Sequence, residues 1–463
     1  MRRTLRLTLA AAALAACSLA TRAAAQDPAS AYRAAADSLI RSAQKDSFAY
    51  ARLAELTDRF GPRFSGTPNL EQAIDWIVAR MRADGLANVR TEPVMVPHWV
   101  RGAESAELTA PRRARLHMLG LGGSVGTPPE GIEAEVLVVT SFDDLRRRAA
   151  EVRGKIVLFD VPFTSYGETV RYRGTGAFEA AKLGAVASLI RSVGPFGMQT
   201  PHTGSIRRDS ATTIPAAALS MEDAMLLHRM QERGERPRVR LVMGARTLPD
   251  VPSRNVVAEL RGRERPDEVV VIGGHIDSWD VGAGAMDDGG GSVAAWEAVR
   301  LMQRLGLRPR RTVRVVLWTN EENGLRGGTA YRDQHAGELE KHVFAIESDL
   351  GTFAPRGFSF GGTDAAYDRL ARELMPLLSS LGADTLTKDG GAADIGPIMA
   401  RGVPGMELLV DETRYFWYHH TEADTIDKLD PAELARCVAA MAVAAYVTAE
   451  MPEPLPRTPI AGR

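Results

Sequence analysis

Three short segments of the sequence carry side chains able to hold metal ions: Gly273-Gly274-His275-Ile276-Asp277, Thr319-Asn320-Glu321-Glu322 and Glu347-Ser348-Asp349. Each follows directly on an almost purely apolar run, at 269–272, 313–318 and 343–346. Imidazole nitrogen and carboxylate oxygen bind zinc at about 2.0–2.2 Å, and a catalytic ion needs three protein ligands plus an open position for water. Two ions roughly 3.5–4 Å apart that share a bridging carboxylate need about five ligands in all. Asp287-Asp288 and His419-His420 complete a supply of that size. Taken singly, each residue has an ordinary explanation: a packed histidine, a solvated acidic pair past a strand, or an Asp capping a helix. Their joint placement after three buried strands is what points to metal chemistry.

The elements that must position them follow from the same pattern. Near-continuous apolar strands separated by helices imply a mostly parallel sheet buried on both faces. Open α/β sheets bind ligands in the crevice beyond their strand carboxyl ends, so the three segments converge there. The glycines after Asp288 lack both nucleotide-loop spacings, and their expected role is close backbone approach at a helix start. Upstream, 30–61 reads as helical, Thr67-Pro68 opens a helix that Gly85 stops, and 89–96 reads as a strand. Residues 120–246 change to short β-type runs with one helix near 177–183, which suggests an inserted β-rich domain. A last helix is expected over 431–448, and the prolines from Pro452 onward mark a loose tail, 452–463. The peptidase part is thus expected in two pieces, 26–119 and 247–451.

The 463 residues are enough for two or three domains of roughly 100–200 residues each. With 57 basic against 58 acidic side chains there is no electrostatic case for nucleic acid or an anionic membrane. Arg2, Arg3 and Arg6 precede a Leu/Ala run and then Ala23-Ala24-Ala25, a signal peptide over 1–25 that implies a periplasmic or extracellular protein. Leu14-Ala15-Ala16-Cys17 also has the form of a lipobox, which would anchor the mature chain through Cys17. No later segment reads as long and apolar enough to span a membrane, so no transmembrane segment is expected in the mature chain. Cys437, in an apolar helical stretch, reads as a buried structural thiol.

The ordered set His275-x-Asp277, Asp287-Asp288, Glu321-Glu322, Asp349 and His420-Thr421 resembles the zinc aminopeptidase and glutamate carboxypeptidase superfamily. Longer blocks resemble its carboxypeptidase Q branch: Gly61-Pro62-Arg63-Phe64-Ser65-Gly66, Val96-Pro97-His98-Trp99, Pro201-His202-Thr203-Gly204 and Tyr415-Phe416-Trp417-Tyr418-His419-His420. The resemblance implies an α/β zinc exopeptidase fold with an inserted protease-associated domain, two Zn²⁺ per chain and a homodimer. It makes Asp287 the bridge, assigns His275 and Asp349 to one zinc and Glu322 and His420 to the other, and makes Glu321 the general base. Asp277 would hold the His275 ring through its carboxylate. The aromatic run Tyr415 to Tyr418 reads chiefly as wall and loop packing. One departure stands out: Ala393-Asp394-Ile395-Gly396-Pro397-Ile398 lacks a histidine that many relatives carry near the site.

The implied activity is hydrolysis of dipeptides or of terminal residues of small peptides by metal-activated water. An aminopeptidase on the same two-zinc site is the alternative. A non-catalytic receptor on this fold is disfavoured by the complete ligand set, and a one-zinc glutaminyl cyclase by its two-metal character.

Overall fold

The structure, a computed structural model, describes residues 27–207, 214–388 and 390–459. The expected signal peptide with Cys17 and the last four residues lie outside the described residues. The helical stretch near the start divides into helices Ser30–Lys45 and Phe48–Phe60, because the Asp46 carboxylate accepts the Phe48 N–H and opens a second helix. Thr67 takes extended backbone, accepts from the Leu70 N–H and precedes Pro68, so helix Pro68–Ala83 begins where a cap worth about 1 kcal/mol places it. Leu70, Ala73, Ile74, Ile77, Val78 and Met81 are buried along its inner face.

The helix Pro431–Glu450 requires a correction. It is long and apolar enough to cross a membrane, with a mean hydropathy of 1.4. It is nevertheless a core helix, 78% buried over that stretch and packed on helices Gly290–Arg304 and Ser30–Lys45. Its alanines allow that close approach, and protein rather than lipid covers the apolar surface. Cys437 lies within it, its thiol donating to the Phe353 carbonyl at 3.1 Å and pushed up in pKa by burial.

The main sheet is mixed, in the order Ala87–Val100, Arg246–Leu260, Arg311–Trp318, Arg265–His275, His342–Glu347, Gly405–Val410, Pro355–Gly361, Thr385–Lys388. The central strands from Arg311–Trp318 to Gly405–Val410 are parallel, as near-continuous apolar runs require. Antiparallel pairs flank them, formed by the two long strands at one side and by Pro355–Gly361 at the other. One face carries the five long helices; Arg326–Gln334 and the short helix Gly396–Met399 cover the other around Trp318, Tyr331 and Ile395. Register sets the site, because His275 pairs with Trp318 and Gly273 with Glu347, so the three carboxyl ends are level.

A second eight-stranded sheet lies between residues 104 and 243. It starts earlier than the β-rich stretch expected from residue 120, since Glu104–Ala110, Ala114–Leu116 and Met118–Gly120 already belong to it. These strands sit toward the sheet's edges and bury few side chains each, which leaves little periodic signal. Helix Tyr166–Lys182 also begins well before the expected 177, and a second helix, Met221–Glu232, packs on the other face. Phe64, Trp99, Ala245 and Trp279 form a small apolar cluster where the chain passes between the sheets.

Candidate metal centre

His275, at the end of its strand, turns Nε2 toward two acids, with Asp349 Oδ1 at 3.1 Å and Asp287 Oδ1 at 3.3 Å. On the other side of Asp287, Oδ2 lies 3.3 Å from His420 Nε2, which is itself 3.1 Å from Glu322 Oε2. Asp287 therefore offers one oxygen to each of two donor groups. Asp287 Oδ2 and Glu322 Oε1 are buried without a hydrogen-bond partner, the state expected of oxygens that await a cation. Imidazole and carboxylate donors in these numbers suit zinc.

The adjacent candidates separate by geometry. Asp288 is a backbone clamp: its Oδ2 accepts the His275 N–H and its Oδ1 the Gly291 N–H, both at 3.0 Å. A Cβ at Gly274 would collide with that carboxylate, and one at Gly291 with the Ser348 carbonyl, so glycine is required at both places. His419 Nε2 is 3.6 Å from Asp287 Oδ2. A tight donor triad can be drawn with His419 beside His420 and Asp287. We give His420 priority, because it meets Asp287 at shorter range and reaches Glu322 as well, whereas His419 is surrounded by the rings of Tyr166, Tyr415 and Phe416.

Asp277 acts differently from the expectation. The His275 ring donates from Nδ1 to the Asp277 backbone carbonyl at 2.9 Å, while the carboxylate stands 3.7 Å away. A carbonyl can only accept, so the Nδ1 proton is fixed and Nε2 is the ring atom left to meet a metal. The Asp277 carboxylate instead accepts the backbone N–H groups of Glu321 at 3.1 Å and Glu322 at 3.4 Å, and thereby sets the turn that carries both glutamates.

Two residues at the site had no assigned role in the sequence. The Asp424 carboxylate accepts the N–H groups of Ala285, Met286 and Asp287 at 3.0, 2.7 and 3.2 Å, holding the loop that presents Asp287. Arg63 is fully buried and donates to the carbonyls of Ile276, Ala283 and Gly284, tying the same loop to the end of the His275 strand. Supporting groups of this kind typically change metal affinity by roughly 10–100-fold. Asp424→Ala is expected to weaken zinc binding by at least about tenfold, read by competition with a chromogenic chelator; unchanged affinity would dismiss Asp424 as a support.

The second sheet also reaches the centre. The Thr203 N–H donates to the His420 carbonyl at 2.9 Å, and His202 Nδ1 lies 2.8 Å from the His419 carbonyl. These contacts hold His420 at φ 61°, a left-handed conformation that costs a non-glycine residue roughly 1–2 kcal/mol. Burial lowers His202 to about 3, so it is a neutral donor at physiological pH.

A cavity of about 580 Å³ opens over the centre. Asp287, Glu321, Glu322 and Asp349 share its wall with a single cationic side chain among the described residues, Arg173, from helix Tyr166–Lys182. Burial and the neighbouring carboxylates push Glu321 and Glu322 well above the usual range. Burial would also raise Asp287, but the adjacent His275 and His420 rings hold it well below. Such crowding of like charge is relieved by bound cations.

A family model described as Peptidase family M28 matches residues 255–445. The chain belongs to this family and is a zinc metallopeptidase of the exopeptidase type. It is similar to carboxypeptidase Q of Homo sapiens, 49% identical over 410 residues that make up 88% of this chain and 87% of the relative. Carboxypeptidase Q of Xenopus laevis is 48% identical over 432 residues, 92% of each chain. Among solved structures, the peptidase M28 precursor from Shewanella amazonensis SB2B superposes with a TM-score of 0.89 at 36% identity, over 92% of this chain and 98% of that one. An aminopeptidase from Aneurinibacillus sp. strain AM-1, at 22% identity and TM-score 0.64 over 92% of this chain and 98% of that one, shares the fold.

Proposed function

We propose that the chain is a two-zinc exopeptidase that releases the carboxyl-terminal residue of dipeptides and small peptides. The observation that carries the reading is Asp287, whose two oxygens face two separate donor groups. His275 and Asp349 would hold one zinc and His420 and Glu322 the other, with Asp287 shared between them. Bound zinc would polarise the scissile carbonyl and make a water acidic enough to attack at neutral pH. Glu321 takes the proton from that attacking water and returns it to the leaving amine. Asp277 keeps Glu321 in place by accepting its backbone N–H. The second sheet is read as a protease-associated domain and the leading 25 residues as a signal for export, in line with the sequence pattern.

The choice of peptide end rests on Arg173. Among the described residues it is the one Lys or Arg in the cavity wall; its Nη1 donates to the Thr203 carbonyl at 3.3 Å and lies 3.4 Å from His420 Nδ1, and its Nη2 donates to the Tyr166 hydroxyl. Among the described residues every acid in that wall is one of the proposed metal donors or the base, and none is left over to clamp a free amino terminus. A substrate carboxylate is the complementary group for the guanidinium. Removing a charged hydrogen-bond partner costs about 1.5–3 kcal/mol, so Ala-Leu amide should be cleaved at least about tenfold more slowly than Ala-Leu, while acetyl-Ala-Leu remains a substrate. Turnover of the amide with rejection of the acetylated peptide would make the chain an aminopeptidase.

A further inference from the structure

We infer that the cavity selects a neutral, apolar side chain on the carboxyl-terminal residue of its substrate, through a wall built by Tyr166 and Phe416. The inference rests on Arg173 as the carboxylate anchor. Arg173 Nη2 donates to the Tyr166 hydroxyl at 2.7 Å, so the anchor and the wall are one connected unit. The Tyr166 ring stacks on Phe416 with centroids 5.2 Å apart and planes 21° from parallel, and Phe163 backs Phe416 at 5.4 Å. Tyr166 and Phe416 both line the cavity and both are only half-buried, leaving ring surface for a ligand to cover. Tyr166 is thus the ring beside the anchor, and Phe416, stacked on it, extends the apolar surface.

Charge decides the class. An acidic side chain finds no second cation among the described residues of the wall, because Arg173 is already spent on the substrate carboxylate. A basic side chain finds, among the described residues of the wall, no carboxylate outside the metal donors and Glu321. An apolar side chain gains by covering the rings, and each methylene so buried is worth roughly tenfold or more in discrimination. The space, about 580 Å³, falls within the range of roughly 300–1,000 Å³ of small-ligand sites.

The test is the zinc-loaded protein assayed on Ala-Gly, Ala-Leu, Ala-Phe, Ala-Glu and Ala-Lys. The expected result is kcat/KM for Ala-Leu and Ala-Phe at least about tenfold above each of the other three. In Phe416→Ala the ratio of Ala-Leu to Ala-Gly should fall by about tenfold, and Phe416→Leu should recover most of it. Both values of a ratio come from the same preparation, so a loss of folded protein cancels. Ala-Glu or Ala-Lys cleaved within about threefold of Ala-Leu overturns the inference, as does a ratio unchanged in Phe416→Ala. Cleavage of Ala-Leu amide as fast as Ala-Leu would instead remove the anchor itself, an outcome read independently of the side-chain series.

Discussion

Glu321→Gln is expected to abolish most turnover while leaving the zinc content unchanged. The amide is close in size and shape to the carboxylate but cannot take a proton from water, and proton transfer of this kind contributes roughly 10²–10⁴ to a rate. Loss of the charge that orients the water adds to the effect, so a fall of several powers of ten in kcat is the expected reading. The metal donors should not notice the change. The close contacts at the centre run between His275, Asp287, Asp349, His420 and Glu322, and none involves the Glu321 side chain. The turn should hold as well, because Asp277 grips it through the Glu321 backbone N–H rather than through the side chain. Metal analysis of the purified variant beside its kcat on a dipeptide makes the comparison. Near-normal turnover would sink Glu321 as the base, and a missing zinc would recast it as a ligand.

The central strands were legible because a strand covered on both faces is apolar at nearly every position, and the candidate ligands were legible because they follow those strands directly. Spacing could not separate neighbours. Asp287 and Asp288 have the same chemistry, and the difference between them is that Asp288 is spent on two backbone N–H groups while Asp287 faces the two histidines. The structure likewise moves Asp277 from the His275 ring to the glutamate turn, a distinction between a residue's carboxylate and its carbonyl that no side-chain pattern encodes. Arg63 and Asp424 were unread because their partners are backbone groups far away in sequence, and an isolated charged residue is usually solvated. Arg173 lies on a helix of modest amphipathicity in a different sheet layer, and only the packing of the two sheets brings it to the cavity.

On the proposed two-zinc reading, Asp287→Ala should empty both metal positions, and this distinguishes a bridge from an ordinary ligand. Without its carboxylate, His275 and Asp349 form one pair and Glu322 and His420 another, each a donor short of the three that a catalytic zinc requires. The lost contacts are direct, so the fall in affinity should exceed the roughly 10–100-fold typical of supporting groups. The fold should survive, since the loop is held by Asp424 through backbone N–H groups, which the substitution leaves in place, and by Arg63 through carbonyls. After dialysis against zinc-free buffer the variant is expected to keep fewer than about one zinc per chain where the parent keeps about two, with an unaltered far-ultraviolet circular dichroism spectrum. Asp287→Asn, which keeps one oxygen and loses the charge, should fall between the two. Two zincs retained in Asp287→Ala would exclude the bridge. Clean loss of one with tight retention of the other would assign Asp287 to a single metal, because a carboxylate shared between two ions cannot be removed from only one of them.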